Sequence, residues 1–199
     1  MSTDETIMAL DITTPEKSSL PEDMQKYLNL CEEKLGMIPN VISAFCHEPE
    51  QFRTFTRFYN EIMFAKTGLT PLEREMIAVV VSSTNHCFYC LTAHGKAVRE
   101  YSNDPILGEQ LVMNYRAATL SDRHVAMLDF AVKLTEVSDK IVEKDREALR
   151  VAGFSEKEIW DISNVAAFYN MTNRLAAAID MQPNAEYHFQ NRESPDKAM

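Results

Sequence analysis

A helix start followed by an almost unbroken apolar run stands near the middle of the chain. Thr70-Pro71-Leu72-Glu73 has the form of a capping box with proline at the first helical position, so it predicts that a helix begins there. The apolar residues that follow leave almost no polar face: Met76, Ile77, Val79, Val80 and Val81. Because such a helix must be buried on most sides, other elements have to surround it.

The surrounding elements are also predicted to be helices. A second capping box, Ser155 with Glu158, opens a long amphipathic pattern that continues to Ile179. Other segments repeat apolar residues at helical spacing, no run alternates with period two over more than a few residues, and only 5 glycines occur. The predicted fold is all-α, a single-domain helical bundle.

Glycines and polar residues predict where individual helices end. Gly36 and Gly68 are each predicted to end the helix before them. Ser82 to His86 is predicted to be a polar break, followed by a helix that runs to about Tyr101. These signals divide the central part of the chain into separate helices.

Polar composition and proline residues also divide the chain at its ends. Residues 1–18 are polar and contain Pro15, which predicts an extended N-terminal arm, and residues 19–182 form the helical domain. From Pro183 the chain turns polar again, so residues 183–199 are predicted to be a C-terminal tail. We expect the aromatic segment Tyr187-His188-Phe189 of this tail to dock on a neighbour.

Charge and cysteine content limit the classes of function and the compartment. A net charge of −10 and a pI near 5.0, without a basic block, argue against nucleic acid as a partner. The N-terminus lacks the features of a signal peptide, and no run of eighteen apolar residues predicts a membrane span. Four cysteines are too few for a secreted disulfide scaffold, so we expect a cytoplasmic protein. Cys31 and Cys46 are interpreted as buried structural thiols.

The other two cysteines belong to a pattern that indicates chemistry. Cys87 and Cys90 lie three residues apart, His94 follows Cys90 by four, and Glu75 precedes them. On a helix this spacing places both thiols and the imidazole along one stripe. A free thiol has a pKa of roughly 8.5, and only the thiolate attacks an electrophile well. The helix N-terminus, the imidazole and a carboxylate that orients it can all promote ionisation.

With eleven, two and three residues between them, Glu75, Cys87, Cys90 and His94 resemble the active-site signature of a known family. This is the signature of the AhpD-like alkylhydroperoxidases of the carboxymuconolactone decarboxylase superfamily. The segments IPNVISAF and PNAEYHFQ extend the resemblance to the family's peroxidase-related branch over most of the chain. One difference is Tyr89, which stands where some members carry a second histidine.

The resemblance implies an AhpD-like helical bundle and a thiol-dependent peroxidase without metal or other cofactor. It assigns the attack on a hydroperoxide to Cys90, activation of the thiol to His94 and Glu75, and resolution of the sulfenic acid to Cys87. Helix electrostatics leaves this order open, because Cys87 is nearer the positive end of the helix dipole. The implied partners are a small hydroperoxide and an external dithiol or thiol-carrying reductant protein, with no membrane. A homo-oligomer, from dimer to hexamer, is also expected.

Four alternatives remain open at this point. In the simplest, the two cysteines only pack and His94 makes an ordinary helix hydrogen bond. The four residues nominally form a zinc site with two thiolates, an imidazole and a carboxylate, although all but Glu75 crowd one short helix. A carboxymuconolactone-type decarboxylase or lyase shares the fold but generally does not rely on a cysteine pair. A non-enzymatic redox sensor needs only a disulfide that changes the protein surface.

Overall fold

A computed structural model describes residues 6–193, and within this range the chain forms nine α-helices and no β-strand. The prediction of an all-α fold is confirmed. The helices in chain order are α1 Glu22–Leu35, α2 Asn40–Ala44, α3 Pro49–Met63, α4 Pro71–Thr84, α5 Phe88–Ser102, α6 Pro105–Asn114, α7 Asp122–Glu136, α8 Glu143–Val151 and α9 Glu156–Ala178. None of them combines the length and apolarity needed to cross a bilayer.

Helix α4 is the centre of the bundle and packs against α5, α6, α7 and α9. Every residue from Glu73 to Ser82 is buried, as the apolar run predicts. The capping box is present: the Thr70 hydroxyl accepts from the Glu73 N–H at 3.1 Å, and the Glu73 carboxylate accepts from the Thr70 N–H at 2.8 Å. Because α4 is enclosed on all sides, Glu75 is held inside the protein and not at its surface.

The second predicted helix start is also confirmed. The Ser155 hydroxyl accepts from the N–H of Glu158 at 3.3 Å, and the Glu158 carboxylate accepts from the Ser155 N–H at 2.8 Å. Helix α9 then runs for 23 residues beside α4 and α7. Its buried face places side chains directly behind the first turn of α5.

The prediction that Gly68 ends the preceding helix is wrong. Helix α3 ends at Met63, where the N–H of Phe64 still bonds to the Asn60 carbonyl at 3.0 Å. Gly68 lies in the following loop, at a point where a β-carbon would stand 2.5 Å from a carboxylate oxygen of Glu158. Glycine is needed there for close approach and not as a helix end. Gly36, with φ of 74°, does end α1 as predicted.

The predicted break at Ser82–His86 begins too early. Helix α4 continues to Thr84, because the hydroxyls of Ser82 and Thr84 donate to carbonyls of their own helix, at Ala78 and Val80. A hydroxyl satisfied in this way does not end a helix. The change of direction comes at His86, whose φ of 53° lies in the left-handed region. Two residues later α5 begins.

The N-terminal segment crosses the end of α9. The N–H of Ala9 donates to the Ile179 carbonyl at 2.8 Å, and the N–H of Gln182 donates to the Ile7 carbonyl at 3.0 Å. These bonds hold Met8 against the interior, where 4 % of it is exposed. Residues 1–5 of the predicted arm lie outside the described range.

The C-terminal segment folds back onto α5. Arg99 donates to the carbonyls of Tyr187 and Gln190 at 2.8 and 3.0 Å, and Tyr187 is buried within its own chain. Phe189 remains exposed. Residues 194–199 of the predicted tail lie outside the described range.

Candidate active site

The cysteine pair lies at the point where the chain enters α5. Cys87 is the residue immediately before the helix, and Cys90 is in its first turn. The N–H of Cys87 donates to the Ser82 carbonyl at 3.0 Å, which ties the start of α5 to the end of α4. Both thiols are free, and only 3 % of Cys87 and 4 % of Cys90 is exposed.

The surroundings of the two sulfurs differ, although their burial is the same. A hydrogen bond from the Cys90 thiol lowers the pKa of Cys87 to about 7, against the opposing effect of burial. The backbone N–H of Cys90, the charge of His94 and the Asn173 side chain lower it further. For Cys90, the same bond to Cys87 and then burial raise the pKa well above its usual range. The pair therefore loses its first proton near neutral pH, and the two shifts favour the charge on Cys87 and the remaining proton on Cys90.

Glu75 and His94 form the polar pair that the sequence predicts. Glu75 on α4 and His94 on α5 face each other, with Oε2 of the carboxylate 2.7 Å from Nδ1 of the imidazole. The side chains are 6 % and 14 % exposed, so water screens this interaction little. A carboxylate at Nδ1 fixes the orientation of the ring.

Tyr169 of α9 completes this side of the site. Its ring packs edge-on against His94 with centroids 4.6 Å apart, and its hydroxyl lies 3.4 Å from Nδ1. Burial first, and then the Glu75 carboxylate, raise the pKa of Tyr169 well above its usual range, so its hydroxyl stays protonated. With Nδ1 occupied by Glu75, Nε2 is the nitrogen that His94 can use for proton transfer.

An apolar cover lies over the sulfurs. Cys87 and Cys90 belong to a buried cluster with Met8 of the N-terminal segment and Met181, the third residue after α9. The cover also includes Ala44, Tyr89 and Ala176. Side chains from three parts of the chain thus enclose the two thiols almost completely.

Tyr89, between the two cysteines, directs its hydroxyl toward α2. Its hydroxyl accepts a hydrogen bond from the N–H of Val41 at 3.1 Å. Burial, followed by the neighbouring Tyr187, raises the pKa of Tyr89 well above its usual range. Tyr89 therefore helps to pack α2 against α5, and it does not replace the second histidine as a proton carrier.

Sequence reasoning missed the polar groups on the far side of the sulfurs. Asn173 of α9 is 1 % exposed and donates to the Ser82 hydroxyl at 2.9 Å, while it accepts from Asn85 at 3.0 Å. One signal was available: Asn170 and Asn173 lie three residues apart on the same face as the apolar residues of α9. An amide at a buried helical position needs partners, and such positions often serve a site.

All four residues predicted from the sequence lie around the interface of α4 and α5. Two other histidines take other positions: His124 lies 4.0 Å from the Glu73 carboxylate, and the ring of His188 lies 5.9 Å from that of Phe88. Among residues 6–193, no group of three or more histidine, cysteine or acidic side chains converges in the geometry of a metal site. The zinc arrangement of Cys87, Cys90, His94 and Glu75 is thus not assembled.

A known protein family matches the part of the chain that contains the candidate site. The model of the carboxymuconolactone decarboxylase family matches residues 49–106, which include α3, α4, α5 and the four predicted site residues. A search of curated proteins gave no significant match.

Solved structures extend the similarity to almost the whole chain. A peroxidase-related protein from Silicibacter sp. TM1040 is 55% identical with a TM-score of 0.92, and the match covers 96% of this chain and 100% of that one. A peroxidase-related protein from Ralstonia eutropha JMP134, described as an alkylhydroperoxidase AhpD core, is 38% identical with a TM-score of 0.91, covering 95% and 98%.

A more distant structure shares the fold alone. The debrominase Bmp8 in complex with 2,3,4-tribromopyrrole is 20% identical with a TM-score of 0.78, and the match covers 92% of this chain and 96% of that one. The sequence identity and coverage of the two peroxidase-related proteins decide the family. The chain belongs to the carboxymuconolactone decarboxylase superfamily, in its AhpD-like, peroxidase-related branch.

Proposed function

We propose that this protein is a thiol-dependent peroxidase that reduces hydroperoxides through Cys87 and Cys90. One observation carries the proposal: a buried pair of free cysteines at the start of α5 lies beside a buried Glu75–His94 pair with a contact of 2.7 Å. A stabilised thiolate with a neighbouring thiol and a proton carrier is what two-electron reduction of a peroxide requires.

The proposed reaction has three balanced steps. A thiolate attacks the peroxide ROOH, the O–O bond breaks, the sulfur becomes a sulfenic acid, and the departing RO⁻ takes a proton to give ROH. The second thiol then attacks the sulfenic sulfur, so that a disulfide forms and water leaves. An external dithiol reduces this disulfide to the two thiols and is itself oxidised to a disulfide.

Glu75 and His94 are proposed to supply the proton that the leaving oxygen takes up in the first step. The carboxylate holds Nδ1 and leaves Nε2 to pass a proton to the leaving oxygen. A positive charge on His94 favours the thiolate on Cys87. One ion pair thus stabilises the nucleophile before the attack and supplies the proton afterwards.

Which of the two sulfurs attacks the peroxide is tested separately from the peroxidase activity. The resemblance assigns the attack to Cys90, whereas the charge at rest lies on Cys87. With dimedone present, a sulfenic acid trapped at Cys87 in Cys90→Ser shows that the resting thiolate attacks. A sulfenic acid trapped only at Cys90 in Cys87→Ser shows that the attacking thiolate forms on Cys90, as the resemblance implies.

Consumption of cumene hydroperoxide in the presence of dithiothreitol tests the function. We expect steady turnover by the wild type and its loss in Cys87→Ser and in Cys90→Ser. The matched control is Cys46→Ser, which changes an equally buried thiol outside the site and is expected to retain turnover. A wild-type rate no higher than that of the Cys87→Ser, Cys90→Ser double variant overturns the proposal.

A redox sensor is the second candidate, because both sulfurs lie under a cover. A sensor forms its disulfide once and changes its surface, whereas an enzyme turns over repeatedly. Many equivalents of peroxide reduced per chain exclude a purely sensory role. Oxidation that stops after one equivalent, with a dithiol still present, favours the sensor.

We also propose that the protein works as a homo-oligomer in a reducing compartment such as the cytoplasm, with a thiol-carrying protein as its reductant. Four free cysteines fit such a compartment. Large apolar side chains that remain exposed in a single chain, such as Phe64, Met113 and Trp160, fit self-association. Sedimentation equilibrium at micromolar concentration tests this, and a 22.7 kDa species would contradict it.

A further inference from the structure

A chain of three amides fixes the orientation of the Asn173 side chain. Asn170 donates through Nδ2 to the Ala166 carbonyl and to the Thr135 hydroxyl, each at 3.0 Å. A main-chain carbonyl can only accept, so Oδ1 of Asn170 must face Asn85. Asn85 in turn donates through Nδ2 to Oδ1 of Asn170 at 3.1 Å and of Asn173 at 3.0 Å. Asn173 therefore presents its oxygen to Asn85 and its nitrogen to the opposite side.

On that opposite side lie Ser82 and the two sulfurs. Nδ2 of Asn173 donates one hydrogen to the Ser82 hydroxyl at 2.9 Å, and Ser82 passes its own hydrogen to the Ala78 carbonyl at 2.7 Å. The second hydrogen of Nδ2 is left for the sulfurs on this side: the N–H of Cys87 donates to the Ser82 carbonyl at 3.0 Å, and Ala176, one turn after Asn173, belongs to the same buried cluster as Cys87 and Cys90. The Asn173 side chain acts to lower the pKa of both thiols. No rotation of the amide is available that would satisfy the same neighbours.

We propose that Asn173 is a further catalytic residue, whose amide N–H stabilises the negative charge on the reacting sulfur. This inference rests on the proposed peroxidase function and adds a role to its site. The donor is held in place before the reaction, because Ser82 and Asn85 bind the other amide atoms. A fixed donor in a buried site stabilises a charge without the cost of reorganisation.

The alternative is that Asn173 only joins α4 to α9. A structural amide and a catalytic one lose the same packing when they are replaced, so stability alone does not separate them. The pH profile of thiol reactivity does, because a neutral amide changes the pKa of a thiol mainly by donating a hydrogen bond to its sulfur. The titratable groups around the pair are Glu75 from α4, Tyr89 and His94 from α5, and Tyr169 from α9, and all are retained in the variants.

The experiment follows alkylation of Cys87 by iodoacetamide against pH, with the modified peptide identified by mass spectrometry. In Asn173→Ala we expect the midpoint to rise by about one pH unit, equivalent to about tenfold less thiolate well below the midpoint. Asn173→Leu, which keeps a similar volume but has no donor and adds no charge, is expected to raise the midpoint by the same amount. If the alanine variant does not fold, the leucine variant carries the test.

The matched control is Thr172→Ala, which removes another buried polar side chain of α9 that takes no part in the amide network. We expect it to lower the melting temperature without moving the midpoint. Wild-type midpoints in the folded Asn173 variants, with melting temperatures lowered as in the control, overturn the inference. Because alkylation needs no peroxide, a shifted midpoint in a protein without peroxidase turnover refutes the proposed function and leaves the role of Asn173 standing.

Discussion

Two buried cysteines of this protein, Cys46 and Cys87, have pKa values shifted in opposite directions. Cys46, between α2 and α3, is 2 % exposed, and Cys87, at the start of α5, is 3 % exposed. Burial, and then the neighbouring Cys31, raise the pKa of Cys46, whereas the pKa of Cys87 is lowered to about 7. Exposure therefore does not decide which thiol ionises.

The direction of the hydrogen bonds explains the difference. The Cys46 thiol donates to the Ile42 carbonyl at 3.4 Å, and its other neighbours are apolar, among them Met24 and Phe52. An acceptor stabilises the protonated thiol. Cys87 is instead surrounded by donors and by a positive charge, which stabilise the thiolate. The two regions thus differ in whether the neighbours of a buried thiol favour its protonated form or its thiolate.

The largest expected effect comes from removing the charge that distinguishes the Cys87 region. His94→Ala is expected to slow peroxide turnover by about 10²- to 10⁴-fold, because it removes both the positive charge and the proton donor. Glu75→Gln is expected to act in the same direction. Stopped-flow measurement of peroxide consumption checks this, with His124→Ala as the control. Wild-type turnover in His94→Ala would contradict the assigned role.

A smaller effect is expected when Cys90, which donates a hydrogen bond to Cys87, is replaced. In Cys90→Ala the Cys87 thiolate loses its strongest hydrogen bond, so its pKa rises and at neutral pH the thiolate fraction falls by about tenfold or more. Cys90→Ser keeps a hydrogen-bond donor, so in this variant the thiolate fraction of Cys87 is expected to fall less. Alkylation of Cys87 as a function of pH measures both. In the wild type the rate should increase as pH rises through about 7 and then level off. Equal profiles in the three proteins would contradict the account.

Weakening the apolar cover over the sulfurs is expected to increase the alkylation rate of Cys87 moderately. Met8→Ala is expected to speed alkylation of Cys87 severalfold, because it removes apolar contacts worth about 1 to 2 kcal/mol from the segment that must move. Cys46 belongs to another cluster, so its alkylation rate serves as the internal control. An equal acceleration at both cysteines would indicate general destabilisation and not opening of the cover.

The smallest effect is expected at Cys46 itself. Cys46→Ala removes a buried sulfur from an apolar cluster and is expected to lower the free energy of unfolding by about 1 kcal/mol. Peroxide turnover should not change, since the thiol takes no part in the reaction. Thermal unfolding followed by circular dichroism, with an activity assay on the same sample, measures both quantities. Loss of activity in the folded variant would mean that the two thiol regions are linked.

Local sequence signals predicted the helices and the acidic, thiol and imidazole groups of the site. The two capping boxes and the apolar run of α4 are short-range patterns, and the spacing of Cys87, Cys90 and His94 follows from helix geometry. Gly68 was misread because its role depends on Glu158, ninety residues later in the chain. The polar residues Ser82 and Thr84 were misread because their hydroxyls bond within their own helix.

The cover and the amide network were beyond such reasoning because they depend on tertiary packing. Met8 reaches the sulfurs only through backbone hydrogen bonds to the region around Ile179 and Gln182. Asn173 reaches them only because α9 crosses behind the first turn of α5. In both cases the partners are more than eighty residues apart in the chain, and no local pattern brings them together.

Mass spectrometry of the native protein after one equivalent of hydroperoxide tests the central claim most directly. We predict the loss of two hydrogens from the segment that contains Cys87 and Cys90, its reversal by a dithiol, and unmodified thiols at Cys31 and Cys46. An unchanged mass, or oxidation spread equally over all four cysteines, would contradict the claim that the donors around Cys87 make this buried pair the reactive one.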